Sequence, residues 1–140
     1  MIETKSTLRV RYAETDKMGV VYHANYAIYF EMARTEMFRQ IGLPYTQMEA
    51  DGIMLPLVDL HINYKRPAHY DDLLTVVTQL REMPGVRIRF DYSIFNQDDQ
   101  LLVDGYTTLA FIDTMRNRPT RIPENVRAGL SRFFENDTKH

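Results

Sequence analysis

The chain alternates between two hydrophobic periods. From Ser6 to Ala13, Leu8, Val10 and Tyr12 interleave with Arg9 and Arg11, the two-residue repeat of a strand with one buried face. A loop follows from Glu14 to Tyr22, with Gly19 as its pivot. The period then lengthens. Between His23 and Ile41, Tyr26, Phe30, Ala33, Met37 and Ile41 recur at steps of three and four, which predicts a helix. Ile28, Tyr29, Met32 and Phe38 spread apolar surface around much of its remaining circumference, so this helix should be deeply buried. Gly42 stands where a left-handed cap is wanted, and Pro44 follows it.

The two-residue period returns for four more strands. Val58, Leu60, Ile62 and Tyr64 alternate with polar residues until Pro67 stops the run. Leu74 to Leu80 and Val86 to Ile94 alternate likewise, joined by the turn Met83-Pro84-Gly85. Asn96 to Gln100 is a second turn, leading into a long strand from Leu101 to Ile112. Such short turns favour antiparallel hairpins. Pro123 suits the first turn of a closing helix over Glu124 to Phe134. The expected architecture is a single α+β domain over residues 1–140, with a curved five-stranded antiparallel sheet around one long central helix. The outer face of the sheet should keep substantial apolar area and the edge strands should stay unpaired, so self-association is expected.

Chemistry concentrates in the loop before the long helix. Asp16 stands a few residues ahead of a helix start, where unpaired backbone N–H groups carry partial positive charge. Such an end can hold a developing oxyanion. A nearby carboxylate can act on a carbonyl carbon directly or through water. On spacing alone, Asp16 could equally be a capping or solvated loop acid.

The surrounding residues narrow the choice. Arg9-Val10, Thr15-Asp16 and Gly19-Val20-Val21-Tyr22-His23-Ala24-Asn25-Tyr26, followed by Tyr29-Phe30-Glu31-Met32-Ala33-Arg34, closely resemble the active-site segment of 4-hydroxybenzoyl-CoA-type thioesterases, and most of all the YbgC-like branch. Asn63-Tyr64-Lys65-Arg66-Pro67-Ala68 and Asp71-Asp72 are similar to a later segment of the same family. The resemblance implies a hotdog fold and acyl-CoA thioester hydrolysis without metal or organic cofactor. It implies a catalytic Asp16, with the amide that polarises the thioester carbonyl at or near His23. It also implies a site at the interface of a homodimer or a dimer of dimers. One departure stands out: an acid two positions before the catalytic Asp in the aromatic-acyl founders is Glu14 here, and their Tyr-Pro is His23-Ala24. Both weaken any expectation of a 4-hydroxybenzoyl substrate.

Other residues join the candidate site. Tyr22 can line the acyl pocket, Asn25 can tie down the loop or touch substrate, and Tyr26 can do either. Glu31 either lines the pocket or pairs with Arg34, three residues on. Lys65, Arg87, Arg116 and Arg118 are candidates for the CoA phosphates. His61, His69 and His140 show no metal spacing. Within the same fold, an acyl-thioester dehydratase using His23 and Glu31 is the alternative. From another class, it is a non-catalytic scaffold binding acyl carrier protein, which is also a candidate partner, beside the acyl-CoA substrate, of the enzyme.

Composition removes further options. The net charge is −2, without the basic excess that nucleic acid would favour. The absence of cysteine excludes disulfides and a thiolate nucleophile. No apolar run suggests a signal peptide or a membrane span, so a cytoplasmic location is expected.

Overall fold

The computed structural model describes residues 1–135. Its main sheet has five antiparallel strands in the order β1-β4-β5-β6-β3. These are β1 (Ile2–Arg9), β3 (Leu57–Tyr64), β4 (Leu73–Leu80), β5 (Arg87–Phe95) and β6 (Leu101–Ala110). The long helix α1 (Asn25–Gln40) lies on the inner face. It buries Tyr26, Tyr29, Phe30, Ala33, Met37 and Phe38. Opposite them the strands present Leu74, Val76 and Leu80, then Ile88, Phe90, Tyr92 and Ile94. Phe30 stacks on Tyr92 with ring centroids 4.1 Å apart. The helix ends as its sequence dictates. Gly42 takes φ +82°, and the N–H groups of Gly42 and Leu43 return to the carbonyls of Arg39 and Phe38.

Several expectations need correction. The first strand runs four residues earlier than its apolar period suggests and stops at Arg9. Its inward positions after Ile2 include Thr4 and Ser6, small polar residues that an edge position tolerates and that hide the period. Val10 is buried but exchanges backbone hydrogen bonds with Asp71 and Asp72, and Tyr12 points to solvent. The helix begins two residues after His23. It is not covered all round, since Ile28 and Met32 are about half exposed. The outer face of the sheet is polar rather than apolar. Arg89 and Arg81 flank Asp91 there, and the Arg89 guanidinium sits 3.9 Å over the Tyr106 ring. The uncovered apolar surface is instead on edge strand β3, where Leu57, Val58, Leu60 and Tyr64 are exposed.

The last expected strand breaks at Phe111. A short helix α2 (Tyr45–Ala50) and a small sheet of β2 (Ile53–Met54), β7 (Ile112–Asp113) and β8 (Arg118–Pro119) were not foreseen. Each strand of that sheet is too short to show a period. The closing helix α3 (Glu124–Phe134) matches its predicted bounds, burying Val126, Leu130 and Phe134.

Glu14 fixes the loop between β1 and α1. Its carboxylate accepts hydrogen bonds from the Arg11 backbone N–H at 2.9 Å, the Arg11 guanidinium at 2.8 Å and the Tyr29 hydroxyl at 3.0 Å. Its carbonyl accepts the Tyr22 N–H at 2.9 Å and the Asn25 side-chain amide at 2.8 Å. Burial pushes the carboxyl pKa up, but the Arg11 and Tyr29 donors outweigh it and hold Glu14 below its usual value.

Two outcomes follow for stability. A lowered carboxyl pKa stabilises the fold above the unfolded value of about 4.3, and that contribution disappears as pH falls through the folded value. The stability gap between wild type and Glu14→Gln, read by urea unfolding, should therefore be full at pH 7 and shrink steadily below about pH 4. Gly105 lies in β6 between Ile62 and Tyr92, and a Cβ there would meet the His61 carbonyl oxygen at 2.2 Å. Gly105→Ala should force β3 off the sheet and cost more than about 3 kcal/mol in the same assay.

Candidate functional site

Asp16 heads a tight turn. Its N–H donates to Val20 O at 2.8 Å, and Gly19 N–H donates back to Asp16 O at 3.1 Å. Gly19 closes the turn with φ +78°, a conformation that a side chain would strain. One carboxylate oxygen, Oδ1, accepts the Met18 N–H at 2.8 Å. The other, Oδ2, makes no hydrogen bond among the described residues and lies on an exposed turn. Both readings of this acid are thus present in one side chain: one oxygen caps the turn and the other is available.

The turn is stitched to its surroundings on both sides. Thr15 pairs with Val21, and Val20 pairs with His69. Val21, buried, donates to Ala68 O at 2.9 Å. Past Val21 the chain turns into α1 through a hydrogen bond from Asn25 N–H to Tyr22 O. The N–H groups of His23 and Ala24 donate to nothing among the described residues. The His23 carbonyl, by contrast, accepts the Tyr64 hydroxyl at 3.3 Å. A surface depression of about 270 Å³ opens at this point, lined by Val21, His23, Tyr26, Tyr64, Lys65 and Arg66. The helix start therefore offers free amide donors beside a basic rim.

The other candidates divide. Tyr22 is half exposed, its ring against the His23 imidazole at 4.3 Å. Asn25 has its amide nitrogen committed to the Glu14 carbonyl, which makes it a loop tie. Tyr26 is buried, and its hydroxyl accepts the Ala68 N–H at 3.3 Å while burial raises its pKa. Lys65 shares the depression with His23. Arg87 lines a different one with Arg81 and Arg89. Arg116 sits in the β7–β8 turn, 3.9 Å from Asp113, and Arg118 begins β8. A single chain does not gather the four cations into one phosphate site.

Glu31 is exposed, and the expected ion pair with Arg34 does not form. Arg34 turns inward, toward the hydroxyls of Tyr45 and Tyr92, leaving Glu31 at the mouth of a separate pocket. His23 and Glu31 thus line different cavities, which is not the paired arrangement a dehydratase would use. His61 is exposed on β3 and stacks against Tyr106. His140 lies outside the described residues. No cluster of three His, Cys, Asp or Glu that could hold a metal occurs among the described residues, and no helix there is long and apolar enough to cross a membrane. Sequence reasoning missed the anchoring role of Glu14, although the spacing of Arg11 and Glu14 was visible. It also missed His69, which only the fold brings beside Val20.

Known proteins are similar to this chain in sequence and fold. The family model described as the thioesterase-like superfamily matches residues 10–130. YneP of Bacillus subtilis is 36% identical over 116 residues, spanning 83% of this chain and 84% of that protein. The acyl-CoA thioester hydrolase YbgC of Escherichia coli is 31% identical over 121 residues, spanning 86% and 90%. Among solved structures, a DHNA-CoA thioesterase from Staphylococcus aureus superposes with a TM-score of 0.91 at 35% identity, covering 100% of this chain and 97% of the other. By fold and by sequence, this chain is a hotdog protein and belongs to the thioesterase-like superfamily.

Proposed function

We propose that the chain hydrolyses acyl-CoA thioesters, with Asp16 as the working carboxylate and the start of α1 as the oxyanion site. The observation that carries this reading is that one connection, between β1 and α1, holds both an unbonded Asp16 Oδ2 and unbonded N–H groups at His23 and Ala24. The thioester carbonyl oxygen would accept from those amides, which gain strength as negative charge develops on it. Asp16 would attack the carbonyl carbon or remove a proton from an attacking water. If water attacks, the carbon–sulfur bond breaks and the CoA thiolate takes the proton held by Asp16, leaving as thiol beside the free acid. If Asp16 attacks, CoA thiolate is displaced and water hydrolyses the resulting mixed anhydride, giving the free acid, restoring the carboxylate and supplying the thiol's proton. The relatives named above, two of them CoA thioester hydrolases by name, support this chemistry.

The working unit in this reading is a homodimer, or a dimer of such dimers. Strand β3 has unpaired backbone on its outer side and exposed Leu57, Val58, Leu60 and Tyr64. Joining two such edges would bury them and bring a second chain toward the depression at His23, because Tyr64 belongs to both. Lys65 and Arg66 at that depression are the cations best placed for CoA phosphates.

Asp16→Asn separates charge from shape, because an asparagine oxygen can still accept the Met18 N–H. Its urea midpoint should stay within about 0.5 kcal/mol of wild type. Its kcat, measured as thiol release from a panel of acyl-CoA and acyl-carrier-protein thioesters, should fall by about 100-fold or more. Wild-type kcat in that variant would remove Asp16 from the mechanism. Leu60→Lys places a charge on the β3 edge and should convert the assembly to monomers in light scattering, with a parallel loss of activity.

A further inference from the structure

The two unbonded amides at the helix start belong to peptide groups whose oxygens are engaged from behind. The N–H of His23 shares a peptide with the Tyr22 carbonyl, which accepts the Asn25 N–H at 2.9 Å. The N–H of Ala24 shares a peptide with the His23 carbonyl. That oxygen accepts the Tyr64 hydroxyl at 3.3 Å and the Tyr26 N–H at 3.4 Å. A donor on a peptide oxygen draws electron density through the conjugated C–N bond. The N–H at the other end then becomes a stronger donor, by roughly 10–30% for each bond in the chain. The same contact fixes the plane of the peptide, and so the direction in which its N–H points.

Asn25 and Tyr26 donate from the first turn of α1 itself, whereas Tyr64 reaches His23 from a different element. Its place is set independently of the loop. Tyr64 ends β3, paired with Val103 of β6. The next two residues, Lys65 and Arg66, both donate to Leu102 O, at 2.9 and 3.0 Å, so the strand end is pinned. The Tyr64 ring stands edge-on to buried Tyr26, with 5.6 Å between centroids. Tyr64 also lines the depression at His23, and both His23 and Ala24 are exposed, so a ligand can approach this peptide. The hydroxyl bond is long, and Tyr64 is half exposed, so in a single chain water competes for it. Joining two β3 edges would exclude that water.

Resting on the proposed hydrolysis, we infer that Tyr64 is a positioning residue for the oxyanion site: its hydroxyl polarises and aims the Ala24 N–H through the His23 carbonyl. The gain grows with the negative charge on the thioester oxygen, so it belongs to the transition state more than to bound substrate. The test is Tyr64→Phe, which keeps the ring and removes only the hydroxyl. Its kcat on acyl-CoA should fall about three- to tenfold, less than the loss of a direct oxyanion donor would cost. Its KM should stay within about twofold of wild type. The urea midpoint and the mass in light scattering should match wild type. In ¹⁵N-labelled protein without substrate, the Ala24 amide nitrogen should move upfield, because its peptide is less polarised.

A wild-type kcat in Tyr64→Phe overturns the inference while leaving the hydrolysis standing. So does a raised KM with unchanged kcat, which would make Tyr64 a contact of the bound substrate. A fall in kcat matched by a fall in mass assigns the hydroxyl to assembly and overturns it too. An unmoved Ala24 resonance overturns the route through the His23 carbonyl. No thiol release by wild type from any thioester overturns the proposed function, and this inference with it.

Discussion

The site depends on one largely buried carboxylate. Glu14 sits where the chain leaves β1 and must reverse before entering α1, and it is held from both directions. Arg11, before it, supplies a backbone and a guanidinium donor, while Tyr29, more than one helical turn into α1, supplies a hydroxyl. The same residue's carbonyl holds Tyr22 and Asn25. Strand end, loop and helix start are therefore referred to one point. A charged group with a side chain only 12% exposed is tolerable because its oxygens are paired. Take that pairing away and the charge becomes a liability in the place where the loop needs rigidity. Asp16 and the free amides at His23 are then rigid because of a neighbour that touches neither.

Much of the frame was legible because its periods are long. Val86 to Ile94 has a clean two-residue repeat and becomes β5 within a residue at either end. The α3 bounds follow from Pro123 and the apolar spacing after it. Legibility fails where burial is partial. In β1 the inward residues after Ile2 include Thr4 and Ser6, and the eye is drawn to Val10 and Tyr12 further on. Yet Val10 is buried outside any strand and Tyr12 is not buried at all. The sheet's outer face misleads in the opposite sense. Its Val77 and Tyr106 read as apolar, but Arg89 and Asp91 surround them with charge.

The candidate site splits along the same line. Asp16, Gly19 and the helix start could be read because their roles belong to the backbone: a turn, a left-handed residue, a free amide. Roles that depend on which side chain meets which could not. Asn25 ties the loop to Glu14. Arg34 leaves Glu31 for the tyrosines, because the interior offers a guanidinium two phenols, and the exposed Glu31 can be satisfied by water. Spacing of three residues made the Glu31–Arg34 pair reasonable, and tertiary context overrode it.

Two features remain that a single chain does not satisfy. One is apolar: the exposed face of β3 and, on the helix, Ile28 and Met32. The other is polar: the sealed Arg34 Nε and Tyr45 hydroxyl. A second copy can cover the first by joining sheet edges, since that surface is extended and non-directional. It is poorly suited to the second, which is recessed in a cavity whose other walls are Met48, Ile53, Leu55 and Leu109 of the same chain. Apolar burial asks only for area, whereas two fixed donors ask for an atom in a particular place. On the proposed assembly, the extended β3 face is the surface suited to a second copy, because area alone covers it.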